Sequence, residues 1–510
     1  MGRFYITTPI YYVNDAPHVG HAYSTVNADA MARWHRLLGD ETKFLTGTDE
    51  HGQKVADAAE KNGVSPQQWT DQTSLRFRQA WDALNISYDD YIRTSEPRHF
   101  VSVQKFLSTI YDNGYIYKDV YQGLYCVSCE DYYTFEASDD GKCPVHGTVL
   151  TEMEEENWFF RLSDFEDRLI AYYDEHPGFV TPDTKRNEAL SFVKGGLRDI
   201  SITRTSIDWG VPVPWDEKHV FYVWYDALIN YLTAVGYGRD DDEVAKWWPC
   251  SHHLIGKEII RFHCVWWPAM CMAAGLEPPS HVQVHGWLLV AGKKLSKTMA
   301  AQGEVKLTDI SPVVLTDEYG VDPIRYYLLR ETALGNDGDF SIEGIINRYN
   351  TDLANNLGNL VARVSAVVTS KCDGIGPASR VNSPLRAEAE VAIAETRSAW
   401  NSFNPQGALE ATWRLIGATN AYLEQWAPWK LEPGSEVDAV MGNALEAIRL
   451  VAVLASPAMP DVCEQIWSRI GLDGAPNDQT FDESAVWGLY SGGHVVQKGE
   501  PLFPRIKSDE

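Results

Sequence analysis

The chain has 510 residues, 44% of them hydrophobic and 23% charged, so it is long enough for several buried cores and has the composition of a globular protein. Its 44 basic and 71 acidic side chains give a formal net charge of -27, which repels polyanions and confines any nucleic-acid site to a local basic patch. Eight cysteines are too few for a disulfide scaffold, which favours a reducing cytoplasm. No uninterrupted apolar run reaches the roughly 18 residues of a membrane span.

Strand-like and helix-like segments alternate in the N-terminal part of the chain. Phe4 to Thr8 is a predicted strand, Ala22 to Leu38 a predicted helix and Thr42 to Thr46 a second strand. This alternation is typical of βαβ units, in which helices connect parallel strands. The N-terminal region is therefore predicted to be an α/β domain built on a parallel sheet.

The character of the sequence changes between Asp119 and about Pro214. Cysteines, an acidic cluster at Glu152 to Glu156 and aromatic strand-like pieces indicate an insertion. The alternation then resumes, with predicted strands at Phe221 to Trp224 and His281 to Val284 and a helix at Lys257 to Ala274 between them. One sheet domain is therefore predicted to be split by the insertion.

The C-terminal third, from about Asn347, is rich in predicted helices. Its first helix carries one apolar stripe, formed by Leu353, Leu357, Leu360, Val361 and Val364. This pattern predicts a separate helical bundle.

The segment after the first strand has the features of an anion site. Pro17 is well placed for the first turn of a helix, and His18 and His21, three residues apart, would share one face at its N-terminus. Unpaired amides and the helix dipole favour anions there, and Gly20 would let a nucleotide approach the backbone. A phosphate site is predicted, although a helix start with two solvated histidines fits the tetrapeptide alone equally well.

A lysine-rich loop from Gly292 to Thr298 is a second candidate for phosphate binding. It holds Lys293, Lys294 and Lys297 among small residues, and such a loop can neutralise a triphosphate. Taken alone, a loop of this kind is usually a solvated turn. The chain has no Gly-x-x-x-x-Gly-Lys-Ser/Thr motif, which disfavours a P-loop nucleotidase.

Three cysteines and a histidine in the insertion have the spacing of a zinc site, Cys126-x2-Cys129-x13-Cys143-x2-His146. Two ligand pairs separated by a short loop can close on one tetrahedral zinc through three thiolates and an imidazole. Four protein ligands leave no open position, so the predicted zinc is structural. The alternative is three unrelated cysteines.

Taken together, the histidine and lysine motifs resemble the two signatures of the class I aminoacyl-tRNA synthetases. Val19, Leu295 and Thr298 depart from the signature residues but leave each donor group in place. Synthetases of this class for leucine, isoleucine and valine carry much larger insertions. Within the class the chain is similar to the methionyl-tRNA synthetases over nearly its whole length, most clearly at Thr8 to Tyr12, Gly47 to Gly52, Phe221 to Ala227 and Asn355 to Leu360.

The resemblance implies an α/β fold with a split Rossmann-like catalytic domain, a zinc-binding connective insertion and an all-α anticodon-binding bundle. The expected parts are 1–118 and 215–290 for the two halves of the catalytic domain, 119–214 for the insertion, 291–346 for the lysine loop and a stem-contact region, and 347–510 for the bundle with a C-terminal return segment.

The resemblance also assigns site residues. The catalytic set is His18, His21, Lys294 and Lys297, and ATP binding adds Gly20, Gly256, Glu258, His285 and Gly286. For methionine, Asp49 would hold the ammonium group, Arg204 would brace Asp49, and the side-chain pocket would be formed by Ile10, Tyr12, Trp224, Leu228, Tyr231, Phe262 and His263. Asn359, Arg363 and Trp429 would bind the anticodon, and Cys126, Cys129, Cys143 and His146 the zinc.

The implied activity is ligation of methionine to tRNA. ATP, bound with Mg2+, and L-methionine form methionyl adenylate and pyrophosphate, and the methionyl group passes to tRNA(Met), initiator tRNA included, with a CAU anticodon. A cytoplasmic monomer with one structural Zn2+ and no membrane partner is expected. Two alternatives are a small-molecule nucleotidylyltransferase, which does not need the bundle or the zinc insertion, and a non-catalytic RNA-binding protein with a zinc knuckle, which does not need Asp49 and Arg204.

Overall fold

The computed structural model describes residues 2–126, 131–133, 138–144, 147–290, 293–294 and 310–507. Over these ranges, no helix is long and apolar enough to cross a membrane. The strands are β1 Arg3–Thr7, β2 Tyr11–Tyr12, β3 Glu41–Asp49, β4 Asp90–Arg93, β5 Ile116–Cys126, β6 Asp131–Tyr133, β7 Thr151–Phe160, β8 Val180–Thr181, β9 Ile200–Ser201, β10 Thr203–Arg204, β11 Val220–Phe221, β12 Ser251–Gly256, β13 His281–His285, β14 Leu288–Val290, β15 Lys293–Lys294, β16 Gly338–Phe340, β17 Ile375–Gly376 and β18 His494–Val495.

The α-helices are α1 Val19–Leu37, α2 Gln53–Lys61, α3 Pro66–Ala83, α4 Pro97–Asp112, α5 Glu166–Glu175, α6 Asp183–Lys194, α7 Val223–Ala227, α8 Asn230–Thr233, α9 Asp241–Trp247, α10 Trp267–Ala273, α11 Pro312–Tyr319, α12 Val321–Arg330, α13 Ile342–Arg348, α14 Asn359–Lys371, α15 Pro384–Asn401, α16 Pro405–Trp426, α17 Ser435–Ala455, α18 Pro460–Arg469 and α19 Phe481–Ser484. Phe262–Trp266 and Tyr349–Gly358 are π-helical, and short 3-10 turns cover Leu162–Phe165, Trp248–Cys250, Lys257–Ile259 and Pro428–Lys430.

The predicted parallel sheet is confirmed. Its order is β2-β3-β1-β12-β13-β8, with β4 also on β3, and every one of these pairings is parallel. In β1, both Tyr5 and Ile6 are fully buried although they point to opposite faces, which is typical of a parallel sheet covered by helices on both sides. Because the strands are parallel, the residues that follow β1, β3, β12 and β13 gather at one edge of the sheet.

The range predicted as an insertion contains two kinds of structure. β5 and β7 pair antiparallel from Ile116 with Phe160 to Tyr125 with Thr151, in a separate four-stranded sheet of order β6-β5-β7-β9. β8, in contrast, pairs with β13 and is part of the main sheet, because Val180 lies beside Val282. The boundaries of the predicted parts stay predictions.

Two predicted elements differ from the structure. The strand expected at Phe221 to Trp224 ends at Phe221, because the Tyr225 N–H donates to Tyr222 O and starts helix α7. The single helix expected from Lys257 to Ala274 is divided into a 3-10 turn, the π-helical Phe262–Trp266 segment and α10. π-Helical turns of this kind are frequent at functional sites.

The predicted helical bundle is confirmed. The residues of its apolar stripe, Leu353, Leu357, Leu360, Val361 and Val364, are all buried. The C-terminal segment returns across the first turns of the bundle, where Phe503 packs edge-on against Tyr349 and the Asn350 amide exchanges two hydrogen bonds with the backbone of Ile506.

A buried ion pair connects the sheet domain to the helices that follow it. Arg325 on α12 contacts Asp29 on α1, with 2.7 Å between Nη2 and Oδ2, and donates from Nε to the carbonyl of Ala458 in the bundle. Burial would raise the pKa of Asp29, but Arg325 and Arg33 lower it to about 2. The carboxylate therefore stays charged and joins α1 to the C-terminal part of the molecule.

Candidate active site

His18 and His21 form the start of helix α1. The Gly20 N–H donates to His18 Nδ1 at 3.1 Å and the His18 N–H donates to His21 Nδ1 at 3.2 Å, so the side chains satisfy amides that a helix N-terminus leaves unpaired. The two rings stack with centroids 3.8 Å apart. The predicted place of Pro17 in the first helical turn is wrong, because His18 is the cap and α1 begins at Val19.

Both imidazoles are neutral at physiological pH. Burial lowers the pKa of His18 to about 4, and burial together with the neighbouring His18 lowers the pKa of His21 well below its usual value. A neutral imidazole whose Nδ1 accepts a hydrogen bond carries its proton on Nε2. The pair can therefore offer two Nε2–H donors to an anion, while the helix dipole supplies the positive field.

Two glycines assigned to ATP binding, Gly20 and Gly286, stand where neighbouring atoms leave no room for a side chain. A Cβ at Gly20 would lie 3.0 Å from Nδ1 of His18, so glycine makes room for that ring in its capping position. A Cβ at Gly286 would lie 2.1 Å from the carbonyl oxygen of Asn336, so glycine lets that loop cross the end of β13. Their predicted contacts with a nucleotide stay predictions.

His285 connects the end of β13 to the helix that carries the two histidines. Its Nδ1 lies 2.7 Å from the carbonyl oxygen of Gly286, to which it can only donate, so the neutral ring accepts at Nε2 from the Ser24 hydroxyl at 2.7 Å. Burial lowers the pKa of His285, which keeps the ring neutral. His285 at the end of β13 therefore contacts α1 at Ser24, three residues after His21.

Glu258 lies directly beyond the end of β12. Its Oε2 accepts a hydrogen bond from Trp287 Nε1 at 2.9 Å, and a Cβ on Gly256 would come within 2.5 Å of the same oxygen. Lys257 pairs with Asp337 at 2.7 Å and lies over the Trp287 ring. The predicted ATP residues Gly256 and Glu258 are thus at the same edge of the sheet as His285.

The lysine loop begins in a hairpin that follows β13. β14 contacts α1, and Leu289 in β14 pairs with Lys294 in β15. The side chain of Lys294 and the whole of Lys297 lie outside the described residues. Their convergence with His18 and His21 therefore stays a prediction.

The residues predicted to form the methionine pocket make a continuous set of ring contacts. The Trp224 and Phe262 rings stack with centroids 3.8 Å apart, and the Tyr12 ring meets Trp224 edge-on at 6.5 Å. The Tyr231 hydroxyl lies 2.8 Å from Nε2 of His263. Ile10 and Leu228 pack in the same core. The structure therefore brings the predicted pocket residues together.

His263 is a neutral acceptor within this pocket. Its Nδ1 lies 3.1 Å from the carbonyl oxygen of Ile259, so this nitrogen carries the proton and Nε2 accepts from Tyr231. Burial lowers the pKa of His263 to about 4. The side-chain pocket therefore holds no cation at His263, which suits an uncharged thioether.

Asp49 and Arg204 are both buried near the pocket. Asp49 ends β3, and its neighbour in the adjoining strand is Tyr12. The Arg204 guanidinium donates from Nη1 to the carbonyl of Thr203 at 2.7 Å and lies over the Tyr222 ring. The roles of Asp49 toward an ammonium group and of Arg204 toward Asp49 stay predictions.

The residues that hold the Asp49 loop were not among those predicted from the sequence. Glu50, fully buried, accepts from Arg93 Nε at 2.7 Å, and its carbonyl accepts from Trp209 Nε1 at 2.5 Å. His51 lies 2.5 Å from the buried carboxylate of Asp226. A signal was available, because Glu50 and His51 are polar residues placed directly after a buried strand.

Two of the four predicted zinc ligands are described. Cys126 and Cys143 are buried in a small cluster with Leu124 and Leu150. Thr148 lies beside both, with its hydroxyl 3.7 Å from Cys126 Sγ and its carbonyl accepting from the Cys143 N–H. Cys129 and His146 lie outside the described residues, and within the described ranges no group of three such ligands occurs.

The predicted anticodon residues share one surface of the bundle. Asn359 is exposed at the start of α14, and the Arg363 guanidinium lies 4.7 Å from the centre of the Trp429 ring. Arg363 also pairs with Glu424 at 2.6 Å. Trp429 is 37% exposed, so its ring is accessible.

The chain matches two protein-family models. One, described as "tRNA synthetases class I (M)", matches residues 4–151 and 139–365, and the other, "Anticodon binding domain of methionyl tRNA ligase", matches residues 376–510. The chain is therefore a class I aminoacyl-tRNA synthetase. Its parallel-sheet domain carries paired histidines at the carboxyl edge of the sheet, and a helical bundle follows that domain.

Relatives are similar over nearly the whole chain. Methionine--tRNA ligase of Streptomyces coelicolor is 44% identical, covering 99% of this chain and 97% of the relative, and that of Thermotoga maritima is 42% identical, covering 100% and 81%. The structure of Mycobacterium tuberculosis methionyl-tRNA synthetase with methionyl-adenylate matches with a TM-score of 0.92 at 39% identity, over 99% of this chain and 100% of that one. The chain belongs to the methionyl-tRNA synthetase family, and the predicted activity, ligation of methionine to tRNA in two steps, is confirmed.

Proposed function

We propose that adenylate formation takes place between the α1 cap and the aromatic pocket, at the carboxyl edge of the main sheet. The observation that supports this most directly is the mutual capping of His18 and His21, which leaves each neutral imidazole with its proton on Nε2. Two preorganised donors beside a helix N-terminus suit the oxygens of a polyphosphate.

In the proposed first step, a carboxylate oxygen of methionine attacks the α-phosphorus of ATP. The new O–P bond forms as the bond to pyrophosphate breaks, and no covalent enzyme intermediate is needed. His18 and His21 donate to phosphate oxygens, while Lys294 and Lys297 neutralise charge that develops on the leaving group. Mg2+ accompanies ATP, and Gly256, Glu258, His285 and Gly286 line the nucleotide side.

Different residues are proposed to bind the ammonium group and the thioether of methionine. Asp49 accepts the ammonium group, with Arg204 bracing that carboxylate, and Trp224 and Phe262 contact the thioether. Aromatic walls suit polarizable sulfur. The support is the adjacency of Asp49 to Tyr12 in the sheet and the contact of Tyr12 with Trp224.

We further propose one structural zinc on Cys126, Cys129, Cys143 and His146. The residues present fit it, because two buried thiols lie beside one residue, Thr148, in a cluster whose other members among the described residues are Leu124 and Leu150. Four ligands on one zinc would supply folding free energy to this loop, because metal binding is coupled to folding. Protein purified without chelator should hold about one zinc per chain, and Cys143→Ser should lose it. A zinc content near zero contradicts this site.

The tRNA partner is proposed to be tRNA(Met), including the initiator, read through its CAU anticodon. Trp429, with Arg363 over its ring and Asn359 on the same helix as Arg363, offers stacking and hydrogen bonds to unpaired bases.

A cytoplasmic monomer is also proposed. The low cysteine content and the family resemblance support it, and analytical sedimentation measures the oligomeric state directly.

Pyrophosphate exchange with each of the 20 amino acids, with and without tRNA, tests the assignment. Exchange should depend on methionine and proceed without tRNA, and methionyl transfer should require a tRNA with a CAU anticodon. A nucleotidylyltransferase would exchange without any amino acid. Transfer to tRNA that ignores the anticodon would contradict the proposed RNA partner.

A further inference from the structure

Asp226 lies at the centre of a buried group that the reaction scheme does not use. One carboxylate oxygen lies 2.5 Å from Nδ1 of His51 and the other lies 2.7 Å from Nε2 of His99. All three side chains are almost completely inaccessible to solvent. The far nitrogen of His99 lies 3.0 Å from the Thr233 hydroxyl. One carboxylate therefore joins three elements, namely the loop after β3, helix α4 and helix α7.

The elements joined by Asp226 carry the two halves of the methionine pocket. His51 follows Asp49 by two residues, and Asp226 follows Trp224 by two residues. Asp49 is the proposed partner of the substrate ammonium group, and Trp224 is the proposed wall of the thioether pocket. The contact between His51 and Asp226 therefore links the loop that carries Asp49 to the helix that carries Trp224.

Both carboxylate oxygens of Asp226 have an imidazole partner in this group. Burial would raise the pKa of Asp226, but His51 and His99 lower it to about 2, so both oxygens accept at neutral pH. An asparagine has one oxygen and one NH2 group, so it accepts from one imidazole and presents donors to the other. In Asp226→Asn one of the two histidines must therefore change its tautomer or move.

We propose that Asp226 is a positioning residue that, through His51 and His99, sets the distance between the ammonium and thioether subsites and so selects amino acids by side-chain length. The inference rests on the proposed roles of Asp49 and Trp224 and goes beyond them, because it assigns specificity to residues that do not touch the substrate. In other binding sites, too, the residues that contact substrate or metal keep their geometry through hydrogen bonds to partners behind them.

The test is pyrophosphate exchange by Asp226→Asn with L-methionine and with S-methyl-L-cysteine, which is one methylene shorter. We expect the KM for methionine to rise about tenfold, since a buried charge-assisted contact is lost, with the KM for ATP changed less than about twofold. The preference for methionine over S-methyl-L-cysteine in kcat/KM should fall at least about fivefold. His99→Gln should change the same ratio less, because His51 keeps its partner.

Asp322→Asn is the matched control. Asp322 is another buried aspartate, on α12, where its Oδ2 accepts from the Val462 N–H at 2.6 Å. Its substitution should leave the ratio unchanged even if it lowers the melting temperature. If Asp226→Asn fails to fold, His51→Gln is measured in its place, because it breaks the same contact.

Three results would overturn the proposal. If the preference for methionine is unchanged in Asp226→Asn, the contacts of Asp226 with His51 and His99 serve only the stability of the fold. The same conclusion holds if Asp322→Asn changes the preference as much as Asp226→Asn does. Trp224→Ala separates the causes of failure. If Trp224→Ala leaves the KM for methionine unchanged, the assignment of the pocket itself is wrong. If Trp224→Ala raises that KM while Asp226→Asn leaves the preference ratio unchanged, only the positioning role of Asp226 is wrong.

Discussion

The proposed catalytic cleft and the proposed anticodon surface present their candidate residues in opposite ways. In the cleft, His263 and Asp49 are buried, and the hydrogen bonds of His263 fix its tautomer. On the bundle, Trp429 is 37% exposed and Asn359 lies on the surface. Small substrates are recognised by donors and walls arranged in advance, whereas an RNA loop must reach its partners from outside.

The two regions are joined through helix α1. Its N-terminus carries the histidine pair, and its middle carries Asp29, which binds Arg325. Substitutions can therefore be sorted into those that break the connection, those that affect only the cleft and those that affect only the RNA surface.

The largest effect is expected for Asp29→Ala. It leaves Arg325 buried without its carboxylate partner, which typically costs about 3 to 5 kcal/mol. Calorimetry should show a large fall in melting temperature, and both activities should decline together. Glu390→Ala, which removes an exposed ion pair with Arg386, serves as the control and should change stability by at most about 1 kcal/mol. If the Asp29→Ala protein is as stable as the parent, the buried pair of Asp29 and Arg325 does not hold the two regions together.

The pH dependence of the same pair has a defined sign. The folded pKa of Asp29, about 2, is below its ordinary value of 3.8, so the contribution to stability is present above that ordinary value. It is lost as the pH falls from about 4 toward 2. In that range the parent protein should lose more stability than Asp29→Asn, as measured by denaturant titration at each pH.

His21→Ala should act on the cleft alone. Removal of one preorganised donor to a developing anion lowers kcat by about 100- to 1000-fold, so exchange and aminoacylation should fall by the same factor. His35→Ala, near the other end of the same helix, is the matched control and should leave exchange near normal. A small loss in His21→Ala, comparable with that of His35→Ala, would show that the imidazole does not contact the transition state.

Trp429→Ala should act on the RNA surface alone. Loss of one base–aromatic stack costs about 1 to 3 kcal/mol, so kcat/KM for tRNA should fall about 5- to 150-fold while methionine-dependent exchange stays unchanged. Leu489→Ala, another exposed apolar side chain, is the control and should change neither rate. Equal losses of exchange and transfer in Trp429→Ala would indicate a folding defect.

The smallest effect concerns pH and the histidine pair. Because burial lowers the pKa of His18 to about 4, the ring stays neutral from pH 8 to pH 6, and the ratio of parent to His18→Asn exchange rates should be constant over that interval. An inflection near pH 6.5 that disappears in the variant would contradict a neutral donor. Since the folded pKa is below the ordinary 6.5, acidification through that range toward pH 4 should destabilise the parent more than the variant.

Local sequence patterns were sufficient for much of the architecture. Alternating strands and helices predicted the parallel sheet, and the stripe from Leu353 to Val364 predicted the bundle, because both depend on periodicities of 2 and 3.6 residues that neighbours in the chain determine. The motifs that follow β1 and β13 also named candidate site residues, and parallel strands bring the residues that follow them to one edge of the sheet. The tautomers of His18 and His21 were not predictable, because they depend on which amides the rings cap.

Other features were decided by contacts between distant segments. Val180 lies within the apparent insertion but pairs with β13 at the edge of the main sheet. The segment Phe221 to Trp224 has the composition of a strand, but the strand ends at Phe221 because Tyr222 caps a helix. His51 and His99, which come from positions far away in the sequence, lower the pKa of the buried Asp226 carboxyl group. The amino-acid order therefore determined the elements and the chemical groups of this synthetase, whereas tertiary packing decided their protonation, their spacing and their partners, because burial and electrostatic pairing act between residues that the chain keeps apart.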